Sequence, residues 1–268
     1  MSFSRLKTLV IAALALINVF FLITIAVGQA QDVAERRRIA EGTRAALEMG
    51  GISVECELRM GTPRLYNTAR DMYAEARIVT AALGECTLTN LPGGVSRYDG
   101  ERGTAQFNAL GDFVINFPHG YPSADAKRTA ESMLRGMRID TGAVTVGISG
   151  TDETAVAPVL HRGGAVVNCR VTFEFADGQL TRVTGTCASG VTEAAEPRTL
   201  YDMQTLMMAF LASVKRGDIE CERILSVEQA YRYAPRALGA GELVPGWVIE
   251  TDSGVWFADA AAGRVEAV

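Results

Sequence analysis

Between Thr8 and Gly28 the chain carries no charged residue, and that run restricts its fold more than any other feature. A helix over it is roughly 31 Å long at 1.5 Å per residue, close to the ~30 Å thickness of a bilayer's hydrocarbon core. The apolar part of a secretory signal peptide is usually about 7–15 residues, shorter than this run. Gly28-Gln29-Ala30 nevertheless supplies small residues where a signal peptidase would cut. The expectation is an uncleaved transmembrane helix over 8–28, with cleavage as the alternative. Arg5 and Lys7 favour a cytoplasmic tail over 1–7, whereas Arg36, Arg37 and Arg38 argue for the opposite orientation. The short tail and long remainder read most simply as a single-pass cell-membrane protein with an extracytoplasmic C-terminal region.

Asn18 interrupts the run. An amide in lipid is costly to leave unpaired, and a hydrogen bond to a neighbouring helix contributes about 0.6–2 kcal/mol. Asn18, with Phe21, is the expected contact for a partner helix or a second copy. Bonding back to its own helix is the simpler structural reading of the same amide.

The chain has 268 residues and a net charge of −5, and no acidic residue precedes Asp32. The region beyond the apolar run is therefore acidic, which argues against nucleic acid as a partner. Its composition is otherwise that of an ordinary soluble protein.

Gln31–Gly50 reads as a helix continuing from the span and ending at Gly50-Gly51. Residues 52–58 alternate apolar and polar, as a half-buried strand does. A second helix is expected over 71–83. Strands follow at 94–98, 104–109 and 112–117, and Phe117-Pro118-His119-Gly120-Tyr121-Pro122 reads as a break between modules. Ser123 is the expected N-cap of a third helix. Strands over 143–149, 154–160, 165–175 and 179–187 come next, with Asp177-Gly178 at the last hairpin. Thr199 to Asp202 has capping-box spacing before the stripe Met203, Leu206, Met207, Phe210, Leu211 and Val214, which reads as core. Strand pairs turning at Asp252-Ser253-Gly254 close the chain. The fold class is α+β: one transmembrane helix, then modules over 29–118 and 119–268, each of antiparallel sheet with packed helices. No sequence repeat is evident.

Catalytic signatures such as HExxH, GxSxG and a phosphate-binding Gly-rich loop are absent from the sequence. The only two histidines are His119 and His161. No enzymatic activity, cofactor or metal is expected. Five cysteines lack CxxC spacing. A three-residue hairpin loop over 177–179 would set Cys169 opposite Cys187 and allow a disulfide; a two-residue loop would send them to opposite faces. Cys56–Cys86 is a weaker pairing.

Four segments carry a family resemblance: "LINVFFL" (16–22), "GISVECEL" (51–58), "YDGERGTAQFNALGDFVINF" (98–117) and "LVPGWVIETDSGVWFADAAAGRV" (243–265). Together they resemble the YycI family of two-component regulatory proteins, with YycH-like proteins next. The last segment is also similar to PepSY-type modules, through Pro245, Trp247, Asp259-Ala260 and Gly263. The resemblance implies a non-enzymatic protein of Gram-positive bacteria that modulates an essential sensor histidine kinase of WalK/YycG type, a regulator of the cell wall, through its transmembrane helix. It implies that Asn18 takes part in that contact and that a YycH-like companion is a further partner. The competing reading is a secreted or anchored PepSY-like binding or inhibitory module acting on a cell-wall enzyme or protease.

Overall fold

The computed structural model describes residues 3–61, 63–186, 191–196, 198–236 and 239–268. One uninterrupted helix, α1, runs from Phe3 to Met49. It stops because Gly50 and Gly51 follow, Gly51 taking a positive φ of 91° that a side chain would resist.

Beyond α1 the same unit occurs three times. A short helix capped by an aspartate leads into four antiparallel strands, each paired with the next. In the first unit α2 (Met72–Leu83) precedes β3 (Cys86–Leu91), β4 (Val95–Gly100), β5 (Gly103–Phe107) and β6 (Asp112–Pro122). In the second, α3 (Ala126–Met137) precedes β7 (Thr145–Ser149), β8 (Asp152–His161), β9 (Gly164–Ala176) and β10 (Gln179–Thr186). In the third, α4 (Met203–Arg216) precedes β12 (Arg223–Pro235), β13 (Ala240–Thr251), β14 (Val255–Asp259) and β15 (Arg264–Ala267). The N-caps are Asp71, Asp125 and Asp202, each carboxylate accepting a backbone N–H of the first turn.

Edge pairings join the units into one open sheet. The final strands of the first two, β6 and β10, pair antiparallel. β9 meets β12 in parallel over only Ala165–Val166 and Ala230–Tyr231. Three short strands outside the units complete the sheet. β1 (Ser53–Val54) adds in parallel to β12, while β2 (Tyr66–Ala69) lies between β13 and β11 (Val191–Ala194).

Two apolar cores result. The first two units share one, in which Val79, Leu134 and Met137 meet Phe107, Ile115, Phe173 and Val183. The second lies under the third unit. There Leu47 of α1 joins Met203, Leu206, Met207 and Phe210 of α4 and Trp247 and Ile249 of β13. The methionine-rich stripe of α4 is core, as its spacing predicts.

Several expectations need correction. The alternation over 52–58 yields a ladder at Ser53–Val54 alone, while on the opposite edge an arginine of α1 takes the carbonyls of Val54 and Cys56. The stretch 117–122 does not end the strand, since β6 continues to Pro122, but it interrupts the ladder: pairing with β10 lapses over residues 117–120 and resumes at Tyr121 and Pro122, with Gly120 at a φ of 67°. Pairing with β5 ends at Asn116, so Pro118 sits where no ladder partner on that side needs its missing N–H. The expected boundary at 118/119 falls within this bulge, and one apolar core holds residues from both sides of it. Asp125, not Ser123, caps α3; the Ser123 hydroxyl bonds that of Thr129. Asp202 is itself the N-cap of α4 rather than the third helical residue of a box opened at Thr199. β2, β3 and β11, which the sequence pattern did not reveal, are additions.

Candidate functional site: a long helix fastened to a sheet

Leu14, Asn18, Phe21, Ile25 and Gly28 recur at four- and three-residue steps, so they share one stripe of α1. Leu14 is 55% exposed, and Phe21 and Ile25 are each 56% exposed. Asn18 is exposed among them. Thr24 satisfies its hydroxyl internally, donating to the Phe20 carbonyl at 2.9 Å. The helix is long and apolar enough to cross a membrane, and no other element of the described chain covers its apolar part.

The other end of α1 is built into the protein. Leu47 is fully buried against α4. Arg44 donates to the carbonyls of Val54 at 2.8 Å and Cys56 at 2.5 Å. Arg36 reaches the carbonyl of Met60 at 3.4 Å. These arginines occupy acceptors that a strand partner would otherwise take, and so tie α1 to the segment leading out of β1. Because β1 is hydrogen-bonded to β12, the chain of contacts runs from the apolar helix into the third unit's sheet. A groove between α1 and that segment is lined by Val33, Arg36, Arg37, Glu41, Arg59 and Met60.

A second cluster sits where the second unit meets the third. The ring of His161 lies 4.9 Å from that of Tyr66 and 5.3 Å from that of Tyr231. The Arg162 guanidinium stands 4.9 Å over the Tyr66 ring. His161 Nε2 is buried without a hydrogen-bond partner. Burial, reinforced by the neighbouring Arg162 charge, holds this imidazole below its ordinary range, with Asp140 opposing.

In the first unit Glu75 is 1% exposed and forms a bidentate pair with Arg70 at 2.5 and 2.9 Å. Arg70 also donates to Ser96 Oγ at 2.9 Å. Burial, with the Glu75 charge adding to it, pushes the neighbouring Tyr98 hydroxyl up to about 12. The network ties α2 to β4, with Glu75 and Ser96 buried and Arg70 partly exposed at its rim.

Burial raises the thiols of Cys56 and Cys86 above their usual range. Burial, then the Asp252 carboxylate, takes Cys221 to about 11. All three are free thiols, held protonated at neutral pH and poor nucleophiles. Cys56 packs against the second core and Cys86 against the first, so they do not pair.

Cys169 is buried on β9. The hairpin beyond it turns on two residues, Asp177 and Gly178, with φ of 49° and 72°, not three. A bulge at Thr181 shifts the pairing, so that from Arg182↔Glu174 to Gly185↔Val171 the register is the one a three-residue loop would have set. Cys187 lies outside the described residues.

Pro245, Trp247, Asp259, Ala260 and Gly263 come together on one hairpin. Trp247 is 1% exposed, a core residue. Gly246 pairs with Asp259, where a Cβ would come within 2.3 Å of the Ala258 carbonyl. Asp259 accepts from the backbone N–H groups of Ala261 and Ala262 at 2.8 Å and shapes the turn to β15. The described part of the chain places no three His, Cys, Asp or Glu side chains together as a metal site.

No family model and no curated protein matches the chain. Among solved structures it is similar to an uncharacterized protein from Eubacterium rectale, with 8% identity and a TM-score of 0.43 over 79% of this chain and 86% of that one. It is also similar to the C-terminal domain of Bacillus megaterium YpeB, with 8% identity and a TM-score of 0.38 over 75% of this chain and 99% of that one.

Proposed function

We propose that this chain is a membrane-anchored, non-catalytic regulator that passes information between a helix in the bilayer and a folded region on the extracytoplasmic side. The observation that carries the reading is the continuity of α1. One helix exposes Leu14, Phe21 and Ile25 at one end and buries Leu47 in the third unit's core at the other. A rigid connection of this kind turns a rotation or tilt of the span into a displacement of the sheet, and the reverse.

A regulator shifts its target only by contacting two states differently. The stripe of Leu14, Asn18, Phe21 and Ile25 is the surface that does so in this proposal, with Asn18 supplying a directional hydrogen bond to a helix of the target. The resemblance to the YycI family supports a sensor histidine kinase of a cell-wall two-component system as that target.

Co-purification of the full chain with its membrane partner tests the reading. Asn18→Leu is expected to weaken capture roughly 3–30-fold, the equivalent of about 0.6–2 kcal/mol. An unrelated apolar span in place of residues 8–28 is expected to abolish it. Full function with the unrelated span would favour the second reading, an anchored or secreted binding module that needs only a tether. The open strand edges of the first two units support that alternative, since exposed edges accept extended partners.

A further inference from the structure

The three units are alike in topology but not in what covers their first strands. In the third unit β12 is flanked on its outer edge by β1 and β9. In the first two, β3 and β7 each pair on one side only among the described residues. Natural edge strands are usually protected by charge, proline or a bulge. β7, Thr-Val-Gly-Ile-Ser, has none of these. All five of its residues are exposed, and Ile148 is 74% exposed. Val144, Val146 and Ile148 alternate onto one face. Val144 is buried and Val146 is 38% exposed, so the apolar face emerges from beneath α3 and runs out to the open edge.

We propose that β7 pairs antiparallel with β7 of a second copy of this chain, about a two-fold axis through Gly147. Three observations select a second copy. The chain already joins its units by equivalent strands running antiparallel, β6 with β10. An axis through Gly147 sets Val146 against Ile148 of the other copy and Thr145 against Ser149, apolar with apolar and hydroxyl with hydroxyl. The strand bears no charge, so self-pairing brings no like charges together.

A five-residue strand pair is small beside the ~1,200–2,000 Å² buried in stable complexes. The dimer is therefore weak in free solution and forms where copies are concentrated on one membrane. To that extent it rests on the anchoring proposed above.

Cysteine cross-linking of the full chain in membranes tests the axis. A Cβ at Gly147 meets nothing within 4 Å, so Gly147→Cys is accommodated. Opposed residues of antiparallel strands have Cα atoms about 4.5–5.5 Å apart, within disulfide range. Mild oxidation is expected to give a covalent dimer with Gly147→Cys and none with the wild type, whose native thiols serve as the control. Ser149→Cys alone is expected to stay monomeric and to cross-link only when mixed with Thr145→Cys. Adding Ile148→Lys to Gly147→Cys is expected to abolish the dimer. A monomeric Gly147→Cys in the carbonate-resistant membrane fraction overturns the pairing and leaves the anchor intact. Equal cross-linking by Ser149→Cys overturns the axis. Should the protein fractionate as soluble, the anchor is wrong; the same oxidation at high protein concentration then decides the pairing, and a monomer there overturns it too.

Discussion

The second and third units share one plan, and differ in what the rest of the chain does to them. The third is closed at its first strand: β1 and β9 flank the outer edge of β12, and α1 packs on its helix, while β15 pairs on one side only among the described residues. The second is open along β7 among the described residues. Both bury phenylalanine fully, Phe173 in the second and Phe210 in the third, so the difference is not one of core quality. It is one of connection. The unit nearest the apolar helix has the edge of its first strand sealed and its core shared with that helix. The more distant unit leaves hydrogen-bonding groups free for another chain.

The strongest way to break this comparison is to damage each core separately. Phe210→Ala and Phe173→Ala are each expected to cost about 3–5 kcal/mol. Both tryptophans, Trp247 and Trp256, lie in the third unit, so their fluorescence reports on that core. If the units fold as one body, both substitutions lower the same urea midpoint by tryptophan fluorescence and by circular dichroism. If Phe173→Ala leaves the fluorescence transition in place, the closed unit stands alone.

A smaller effect is expected from the fastening of α1. Arg44→Gln removes the charged donor to the Val54 and Cys56 carbonyls, at a cost of about 2 kcal/mol. Hydrogen exchange is expected to rise over residues 40–60 and to stay unchanged in β7–β10. Uniform exchange across both regions would show that the clamp is not specific to the closed unit.

The smallest effect is at the joint. His161 is held neutral by burial, so its folded pKa lies below the ordinary value of 6.5. The unfolded chain then takes up the proton first. Stability is fully present above pH 6.5 and is lost as the pH falls from there towards the folded value. A urea midpoint that drops across this window in the wild type and less in His161→Phe confirms the sign. Identical profiles would remove the histidine from the account.

Much of the local structure was readable in the residues. The uncharged run from Thr8 to Gly28, the arginine-rich continuation, the stop at Gly50-Gly51 and the stripe of α4 all follow from hydropathy and helical spacing. The turns at Asp177-Gly178 and Asp252-Ser253-Gly254 follow from turn chemistry. The repetition was hidden, although Asp71, Asp125 and Asp202 each cap a helix. Those positions are unevenly spaced, since β11 and its flanks intervene before α4, and sheet pairing constrains polarity pattern more than residue identity. β3 was missed because nearly every residue in it is exposed, leaving no buried face to alternate against.

The sequence by itself determined which segments are helical, where most hairpins turn, and that one helix is suited to a bilayer, because propensity, capping and hydropathy act over a few residues. Only the tertiary structure decided that Arg44 would replace a strand at Val54–Cys56, that a bulge at Thr181 would reset a register, and that β12 would be sealed while β7 stayed open. Those outcomes depend on which backbone groups from distant parts of the chain arrive at the same edge, and a hydrogen bond taken by one partner is denied to the next.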